Sequence, residues 1–420
     1  MSARAKQSTK RSQGHGALSL RAAAVVTAGL VTLTGCAATE APEPIPSRTN
    51  LTLSIGTLLP GTGSMALFGP STIAGATLAA EDVNDAGLGI TVSIEYRDSG
   101  DSATETAVTS ATELLDLGVS AIVGAVSSGA SRKVISQITS AGVVQISPAN
   151  SADDFTGYAD DGLYWRTSPS CVREGDVLGA RAAADGAQTL GIVSEQGFCG
   201  DALPLAVAAA FEREGGVIAG NEVFDPTVGG YAAQVAAVVA EAPDAIAIVS
   251  GAQSRAILPL LTAAGYTGEN LYFIGMPIGE LVAENAGGTV TGTTATLPGL
   301  DISTLADFTD RVLKFDPAVQ DFSYAAESYD AVILLALASL AAGDTSGRAI
   351  ADSLQQVSGG SGDGEKATDF ETAAQIILDG GIVDYDGLSG PITFDENGDP
   401  TEGVIGVYRY TAENQFVRIE

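Results

Sequence analysis

Residues 119–147 read VSAIVGAVSSGASRKVISQITSAGVVQIS, and they predict a strand, a helix and a second strand. Val119–Ala125 is an apolar run of strand length, and Val143–Ser147 is another. Between them, apolar residues recur at helical spacing from about Gly129 to Ala141. Strands this apolar, joined by a helix, are typical of a parallel sheet that is covered on both faces. This stretch therefore predicts an α/β fold.

The same alternation extends to both sides of this stretch. It begins at the strand Leu51–Leu59, and a break near Leu163–Thr167 separates two runs of strands and helices. Each run predicts its own doubly wound parallel sheet. Within the first run, Ser102-Ala-Thr-Glu105 has the pattern of a capping box and predicts the start of a helix. Short β segments at Pro391–Phe394 and Gly403–Tyr410 end the predicted chain. We expect two α/β domains with a ligand cleft between them, because small ligands bind at the carboxyl ends of parallel strands and at domain interfaces.

Residues 1–35 are predicted to be a signal peptide. Five Lys or Arg and no acidic residue precede an apolar run of about a dozen residues, which is too short to span a membrane. The run ends in Leu33-Thr-Gly-Cys36, which resembles the cleavage site of bacterial lipoproteins. We expect lipid on Cys36 to hold the chain at the outer face of the cytoplasmic membrane; an ordinary signal peptide with an incidental cysteine is the alternative. The proline-containing residues 36–50 predict a tether.

The chain that follows residue 35 is strongly acidic. It contains 15 Lys and Arg against 51 Asp and Glu, so its formal charge is −36. Nucleic acid requires a basic surface, and anionic lipid headgroups repel an acidic protein. We therefore expect no nucleic-acid partner, and membrane contact through the lipid anchor only. The only histidine, His15, leaves with the signal peptide, so the mature chain has no imidazole to serve a nucleophilic serine.

Cys171 and Cys199 are the only cysteines that remain after Cys36. An isolated pair of thiols in an exported protein predicts a disulfide rather than a catalytic or metal site. Two thiolates without a histidine are also too few ligands for zinc, so we predict no metal ion and no cofactor.

Eight short motifs occur in order along residues 51–420. They are Ile55–Gly69, Gly75–Asn84, Tyr96–Asp101, Gly124–Ser128, Ile146–Ser151, Arg166–Ser170, Tyr324–Ala331 and Gly390–Asp399. Together they resemble the leucine/isoleucine/valine-type solute-binding proteins of bacterial ABC importers, a branch of the type I periplasmic binding proteins. The resemblance implies two doubly wound domains joined by three crossovers. Residues 51–168 plus 298–402 would form the N-terminal lobe, and residues 169–297 plus 403–420 the C-terminal lobe. It also implies that the lobes close on a small solute and deliver it to a permease without catalysis.

Two loops of the first lobe carry most of the predicted ligand contacts. Ser127 and Ser128 lie between a strand and the start of a helix, where free N–H groups and the helix dipole favour an anion. A plain helix cap is the alternative for these serines. The resemblance implies that Ser128 binds the solute carboxylate. After the next strand, it implies contacts from the main chain of Ala149 and the side chain of Ser151, and the predicted site includes Asn150 between them.

Three aromatic residues and one acid complete the predicted site. Phe68 matches the aromatic residue that covers the ligand in the family, and Phe198 lies beside a position where leucine receptors carry a tyrosine. Tyr324 and Asp330 belong to one largely apolar helix. A buried aspartate is costly without a partner, so Asp330 meets the ligand ammonium or forms a cap or salt bridge; the sequence leaves both open.

The sequence does not identify the solute. Leucine receptors hold the ligand ammonium with an acidic residue near the strand Leu271–Gly275, but this chain continues Met-Pro-Ile-Gly279, and Glu280 is the acid close by. Cys171 and Cys199 also replace two polar positions of many relatives. We predict a small polar solute, an amino acid or an amide-like compound, whose ammonium partner is Asp330, Glu280 or absent.

Two other functions compete with solute transport. Gly61-Thr-Gly-Ser-Met-Ala66 fits a dinucleotide-binding fingerprint, but the acid after the second strand, Asp98, comes more than 30 residues later instead of about 20. We therefore predict that the protein is not an enzyme. The second alternative is a ligand-binding sensor subunit for a membrane signalling partner, since a fold alone does not fix function. We expect a monomer that works with an ABC permease.

Overall fold

The computed structural model describes residues 50–420 except 198, 229–230, 252, 275–289 and 413–415. The predicted signal peptide, Cys36, Phe198 and Glu280 lie outside these residues. The strands are β1 Leu51–Leu59, β2 Ile90–Asp98, β3 Ala121–Gly124, β4 Val144–Ser147, β5 Tyr164–Arg166, β6 Thr189–Glu195, β7 Val217–Phe224, β8 Ala245–Val249, β9 Leu271–Ile274, β10 Thr294–Pro298, β11 Glu365–Ala367, β12 Val383–Gly387, β13 Gly390–Pro391, β14 Ile405–Tyr410 and β15 Phe416–Arg418. The α-helices are α1 Gly69–Ala86, α2 Thr106–Asp116, α3 Ser128–Ser140, α4 Cys171–Ala184, α5 Ala202–Arg213, α6 Tyr231–Ala240, α7 Ser254–Ala263, α8 Ala306–Phe315, α9 Ala325–Ala342, α10 Gly347–Val357 and α11 Phe370–Leu378.

The first five strands form a parallel sheet in the order β2-β1-β3-β4-β5. Helices α2 and α3 cover one face, and α1 and α9 cover the other. Helix α9 is buried from Ala325 to Leu340 and packs along α1. The two helices approach closely at Gly75, where a Cβ would lie 2.1 Å from the carbonyl oxygen of Ala325. Although α9 is long and apolar enough to cross a membrane, 89% of it is buried inside the protein, as expected of a core helix.

The second sheet has the order β15-β14-β10-β9-β8-β6-β7. Strands β6 to β10 are parallel, whereas β14 pairs antiparallel with β10, and β15 pairs antiparallel with β14. Separate apolar cores lie on its two faces. The predicted fold of two doubly wound α/β domains is therefore confirmed. The chain passes between the sheets after β5, after β10 and before β14, while the exact lobe boundaries stay a prediction.

A buried ion pair joins the first and third of these crossovers. Arg166, at the end of β5, is fully buried, and its Nε and Nη2 lie 2.5 and 2.7 Å from the two carboxylate oxygens of Asp399. Its Nη1 donates to the carbonyl oxygen of Ala152 at 2.7 Å. Because both partners are hydrogen-bonded, the charges fix the two chain segments where they leave the first domain.

The predicted capping box at Ser102–Glu105 is wrong. Helix α2 begins at Thr106, and Glu105 makes no side-chain cap but pairs with Lys133 at 2.8 Å. The turn before the helix is held by Asp101 instead, whose carboxylate accepts hydrogen bonds from the main-chain nitrogens of Ala103 and Ser64 at 2.9 and 2.8 Å. An aspartate that bonds its own following backbone competes with a helix start.

The region between α10 and β14 differs most from the sequence prediction. It forms a three-stranded sheet, β11-β12-β13, and helix α11, which the sequence patterns did not separate from loop. The expected strand Pro391–Phe394 is reduced to β13, and Phe394 makes only an isolated bridge to Pro400. Two- and three-residue strands are too short for a periodic pattern to reveal.

Candidate functional site

The loops that follow β3 and β4 are linked to each other at the carboxyl end of the first sheet. Ser147 Oγ donates to the carbonyl oxygen of Ala125 at 2.8 Å. The side-chain amide of Asn150 donates to the carbonyl oxygens of Ala125 and Val126 at 3.1 and 3.0 Å. The structure therefore brings together the two serine-containing loops that were predicted to contact the ligand.

Ser127 and Ser128 begin helix α3. Ser127 is the N-cap, and its Oγ accepts a hydrogen bond from the main-chain nitrogen of Ala130 at 3.3 Å, so the plain-cap alternative describes its side chain. Ser128 is the first helical residue and is half-buried. None of the residues that the structure describes hydrogen-bonds to the Ser128 hydroxyl. This hydroxyl and the positive end of the α3 dipole form a site suited to a small anion.

An aromatic pair lies beside these loops. The rings of Phe68 and Tyr324 are 5.5 Å apart at 76°, an edge-to-face contact, and both pack against the buried side chains of Leu59, Val126 and Ala149. Tyr324 has a positive φ of 61° immediately before α9. Burial, and after it the charges of nearby acids, raises the pKa of its phenol. Two half-buried rings over an apolar floor make a wall suited to the carbon skeleton of a small solute.

Two predicted ligand contacts of the second loop, Asn150 and the main chain of Ala149, form hydrogen bonds within the protein. Asn150 is fully buried, and its Oδ1 accepts a hydrogen bond from Tyr164 at 2.8 Å, so its amide serves the loop rather than a ligand. The main-chain nitrogen of Ala149 donates to Ser147 Oγ at 3.3 Å. These bonds shape the loop and leave fewer groups for recognition than the sequence suggested.

Ser151 lies against the disulfide. Its carbonyl oxygen accepts a hydrogen bond from the main-chain nitrogen of Cys171 at 2.8 Å, and its Oγ is 3.7 Å from Cys199 Sγ. The predicted disulfide between Cys171 and Cys199 is confirmed. Since Cys171 begins α4 in the second domain, Ser151 is a point where the two domains meet.

Asp330 requires a correction, because the structure assigns its carboxylate to the fold. The side chain is fully buried and accepts hydrogen bonds from Tyr385 Oη, from the main-chain nitrogens of Leu388 and Ser389, and from Ser389 Oγ at 2.6–2.9 Å. A Cβ on Gly387 would lie 2.2 Å from its Oδ1. The carboxylate thus holds the turn between β12 and β13 and is not available to a ligand ammonium.

Two acids that the sequence reasoning did not select lie close to Tyr324. Glu327 is in the first turn of α9, and Glu174 is in the first turn of α4; only 8% and 4% of these residues are exposed. Burial raises the pKa of Glu327 to about 7. The sequence feature that could have identified Glu327 is an acidic residue in a largely apolar helix, three residues after Tyr324, which was already assigned to the site.

The described part of the chain contains no group of three or more His, Cys, Asp and Glu side chains placed to hold a metal ion.

Comparisons with known proteins agree with this fold. The profile of a family described as periplasmic binding protein matches residues 52–403. No curated protein sequence matches the chain significantly.

Solved structures share the fold at low sequence identity. A leucine-binding protein from Thermotoga maritima is 21% identical, with 88% of this chain and 98% of that chain covered and a TM-score of 0.65. An ABC transporter substrate-binding protein from Desulfitobacterium hafniense in complex with leucine is 22% identical, with coverage of 88% and 100% and a TM-score of 0.62. A solute-binding protein from R. palustris in complex with benzoate is 18% identical, with coverage of 88% and 95% and a TM-score of 0.61. At these identities the similarity shows the fold.

Proposed function

Because the chain belongs to the periplasmic binding protein family, we propose that it is the solute-binding component of an ABC importer and captures a small polar solute between its two lobes. The family places it outside the cytoplasm. The structural relatives named above include proteins with leucine and with benzoate, so the solute class is open between amino acids and simple carboxylates.

One observation carries this proposal. The α3 N-terminus, with the free Ser128 hydroxyl, lies beside the Phe68–Tyr324 pair at the carboxyl end of a parallel sheet. An anion site next to an apolar wall is what a small carboxylate with a carbon skeleton requires.

The proposal includes a membrane anchor and a permease partner. Lipid on Cys36 would hold the acidic domain at the outer face of the membrane, where electrostatics alone would repel it. We expect a Cys36→Ala variant expressed in a native-like host to be found in the released fraction instead of the membrane fraction. Equal membrane recovery of both forms would contradict the anchor. The protein is proposed to act as a monomer.

Ligand binding is tested by a thermal-shift screen of the purified domain against amino acids, amides and carboxylates. A ligand that binds the native state raises its apparent stability, by about 2.7 kcal/mol at a concentration of 100 Kd. Ser128→Ala should weaken the binding of the compound found, whereas Ser346→Ala should not. Ser346 is a suitable control because it is a serine at the start of another helix, α10, and makes no side-chain cap bond. No shift with any compound of these classes would contradict the proposed function.

A further inference from the structure

Glu327 contacts two of the chain connections that join the domains. Its carbonyl oxygen accepts a hydrogen bond from Thr167 Oγ1, in the first crossover, at 2.9 Å. A Cβ on Gly299, which follows β10 in the second crossover, would lie 3.5 Å from its Oε1. Glu327 therefore contacts two connections between the domains, the first through its carbonyl oxygen and the second through its carboxylate.

This carboxylate has no cation and no side-chain donor among the residues that the structure describes. Within the described part of the chain, its own main-chain N–H favours the charged form, and nearby Asp330 opposes ionisation. Asp330, one turn later on the same helix, accepts four hydrogen bonds by comparison. A carboxylate that is nine-tenths buried and unmatched by the fold is costly unless a cation reaches it.

The neighbours of Glu327 connect it to the candidate ligand site. The charges of Glu327, Glu174 and Asp321 all act on the phenol of Tyr324. Tyr324 in turn packs with Phe68 on Val126, beside the α3 N-terminus. Three acids, Glu327 and Asp321 from the first domain and Glu174 from the second, therefore act on the tyrosine that borders the anion site.

The other charged groups around this part of α9 are engaged elsewhere. Glu174 accepts a hydrogen bond from Thr296 Oγ1 at 3.0 Å, within the second domain. Arg418 donates to the carbonyl oxygen of Gly299 at 2.9 Å. On α1, Asp82 pairs with Arg311 at 2.7 Å. The two cations of this set, Arg418 and Arg311, therefore have partners other than Glu327.

We propose that Glu327 receives the cationic group of the solute, so that the solute is a carboxylate that also carries an ammonium group. This inference rests on the proposed function and selects between its two solute classes. The anion site at Ser128 would hold the carboxylate of the solute, and Glu327, whose charge acts on Tyr324, would hold its ammonium. The acid that leucine receptors place in the second domain would thus be replaced by one from the first.

The test is isothermal titration calorimetry with matched pairs of probes. Each L-amino acid or ω-amino acid is paired with the carboxylate that lacks only its amino group, such as leucine with 4-methylpentanoate, and benzoate is included. We expect the ammonium-bearing member to bind at least ten times more tightly. Glu327→Gln should weaken its binding by about 10- to 100-fold, as expected for the loss of a charged hydrogen bond. Glu371→Gln, at an exposed glutamate of α11, is the control and should not change it.

The pH dependence gives a readout that does not require the variant. Glu327 must lose its proton before it can hold a cation, and its pKa is raised to about 7. Affinity should therefore fall by about tenfold for each pH unit below that value, and the Glu327→Gln variant should lack this dependence. If that variant does not fold, as judged by circular dichroism, the wild-type pH profiles of an ammonium-bearing probe and its matched carboxylate are compared. Titration of Asp330, whose pKa is raised to about 6, should affect both probes alike, so equal profiles would contradict the inference.

Two results would overturn the inference and leave the proposed function intact. One is tight binding of a carboxylate without an ammonium group; the other is an ammonium-bearing ligand whose affinity is unchanged by Glu327→Gln and constant across neutral pH. Failure of every probe to bind would instead refute the proposed function, and the inference with it.

Discussion

Replacing Glu327 by Gln is expected to make the ligand-free protein more stable at neutral and alkaline pH. The side chain is buried and has no cation among the described residues, and burial raises its pKa from 4.5 to about 7. Each pKa unit corresponds to 1.36 kcal/mol of free energy, so the full shift corresponds to about 3 kcal/mol. Glutamine has nearly the same shape and never ionises, so it avoids this cost.

The raised pKa of Glu327 determines how the stability of the wild-type protein changes with pH. Because the folded state holds the proton more tightly than the unfolded state, wild-type stability falls as pH rises from about 4.5 to about 7. The difference in unfolding free energy between Glu327→Gln and wild type should therefore be small near pH 4 and should grow to about 3 kcal/mol near pH 8. Asp330, whose pKa burial raises to about 6, is present in both proteins, so its own contribution largely cancels.

Urea unfolding followed by circular dichroism, at several pH values and without ligand, measures this difference. Glu371→Gln is the matched control, because Glu371 is exposed, and its difference from wild type should stay near zero at every pH. A Glu327→Gln difference that does not change with pH, or that reverses sign, would refute the reasoning that the carboxylate is buried without compensation.

Three further substitutions test other parts of the structure. Asp399→Asn should lower the unfolding free energy by about 3–5 kcal/mol, because it leaves the buried Arg166 without its counter-ion; a loss below about 1 kcal/mol would show that water reaches the arginine. Replacing Cys171 and Cys199 together by Ser should cost about 3–4 kcal/mol in urea unfolding, since the crosslink closes a loop with a sequence separation of 28. If reduced and oxidised wild type unfold at the same urea concentration, that expectation fails. Ser128→Ala should weaken ligand binding by about 1–3 kcal/mol by calorimetry; unchanged affinity would remove Ser128 from the site.

The alternation of strands and helices was sufficient to predict the fold of both domains. Long apolar strands such as Leu51–Leu59 and amphipathic helices have periods that a single sequence reveals. The small sheet between α10 and β14 was not predicted, because two of its three strands have only three and two residues and show no periodic pattern. The start of α2 was misplaced because Asp101 bonds the main-chain nitrogen of Ala103 in a turn, and the helix begins only at Thr106.

The site was predictable only where it depends on local sequence. Ser127 and Ser128 follow a buried strand and begin a helix, and both facts are visible in the chain itself. The structural role of Asp330 could not be predicted from the sequence, because its hydrogen-bond donors, Tyr385, Leu388 and Ser389, are more than 50 residues away in the chain. Long-range donors decide whether a buried acid is structural, and periodicity carries no information about them.

Asp330 and Glu327 show why such donors matter for function. Both acids are buried in the first turns of one largely apolar helix, and burial raises the pKa of each. The fold offsets the cost of burying Asp330 with four hydrogen bonds, whereas the described residues provide Glu327 with no side-chain donor and no cation. An apolar residue at position 327 would fill a buried site without this cost. The glutamate is therefore best explained by a cation that arrives from outside the chain, and its place between two domain crossovers would let that cation bind most tightly when the lobes close around it.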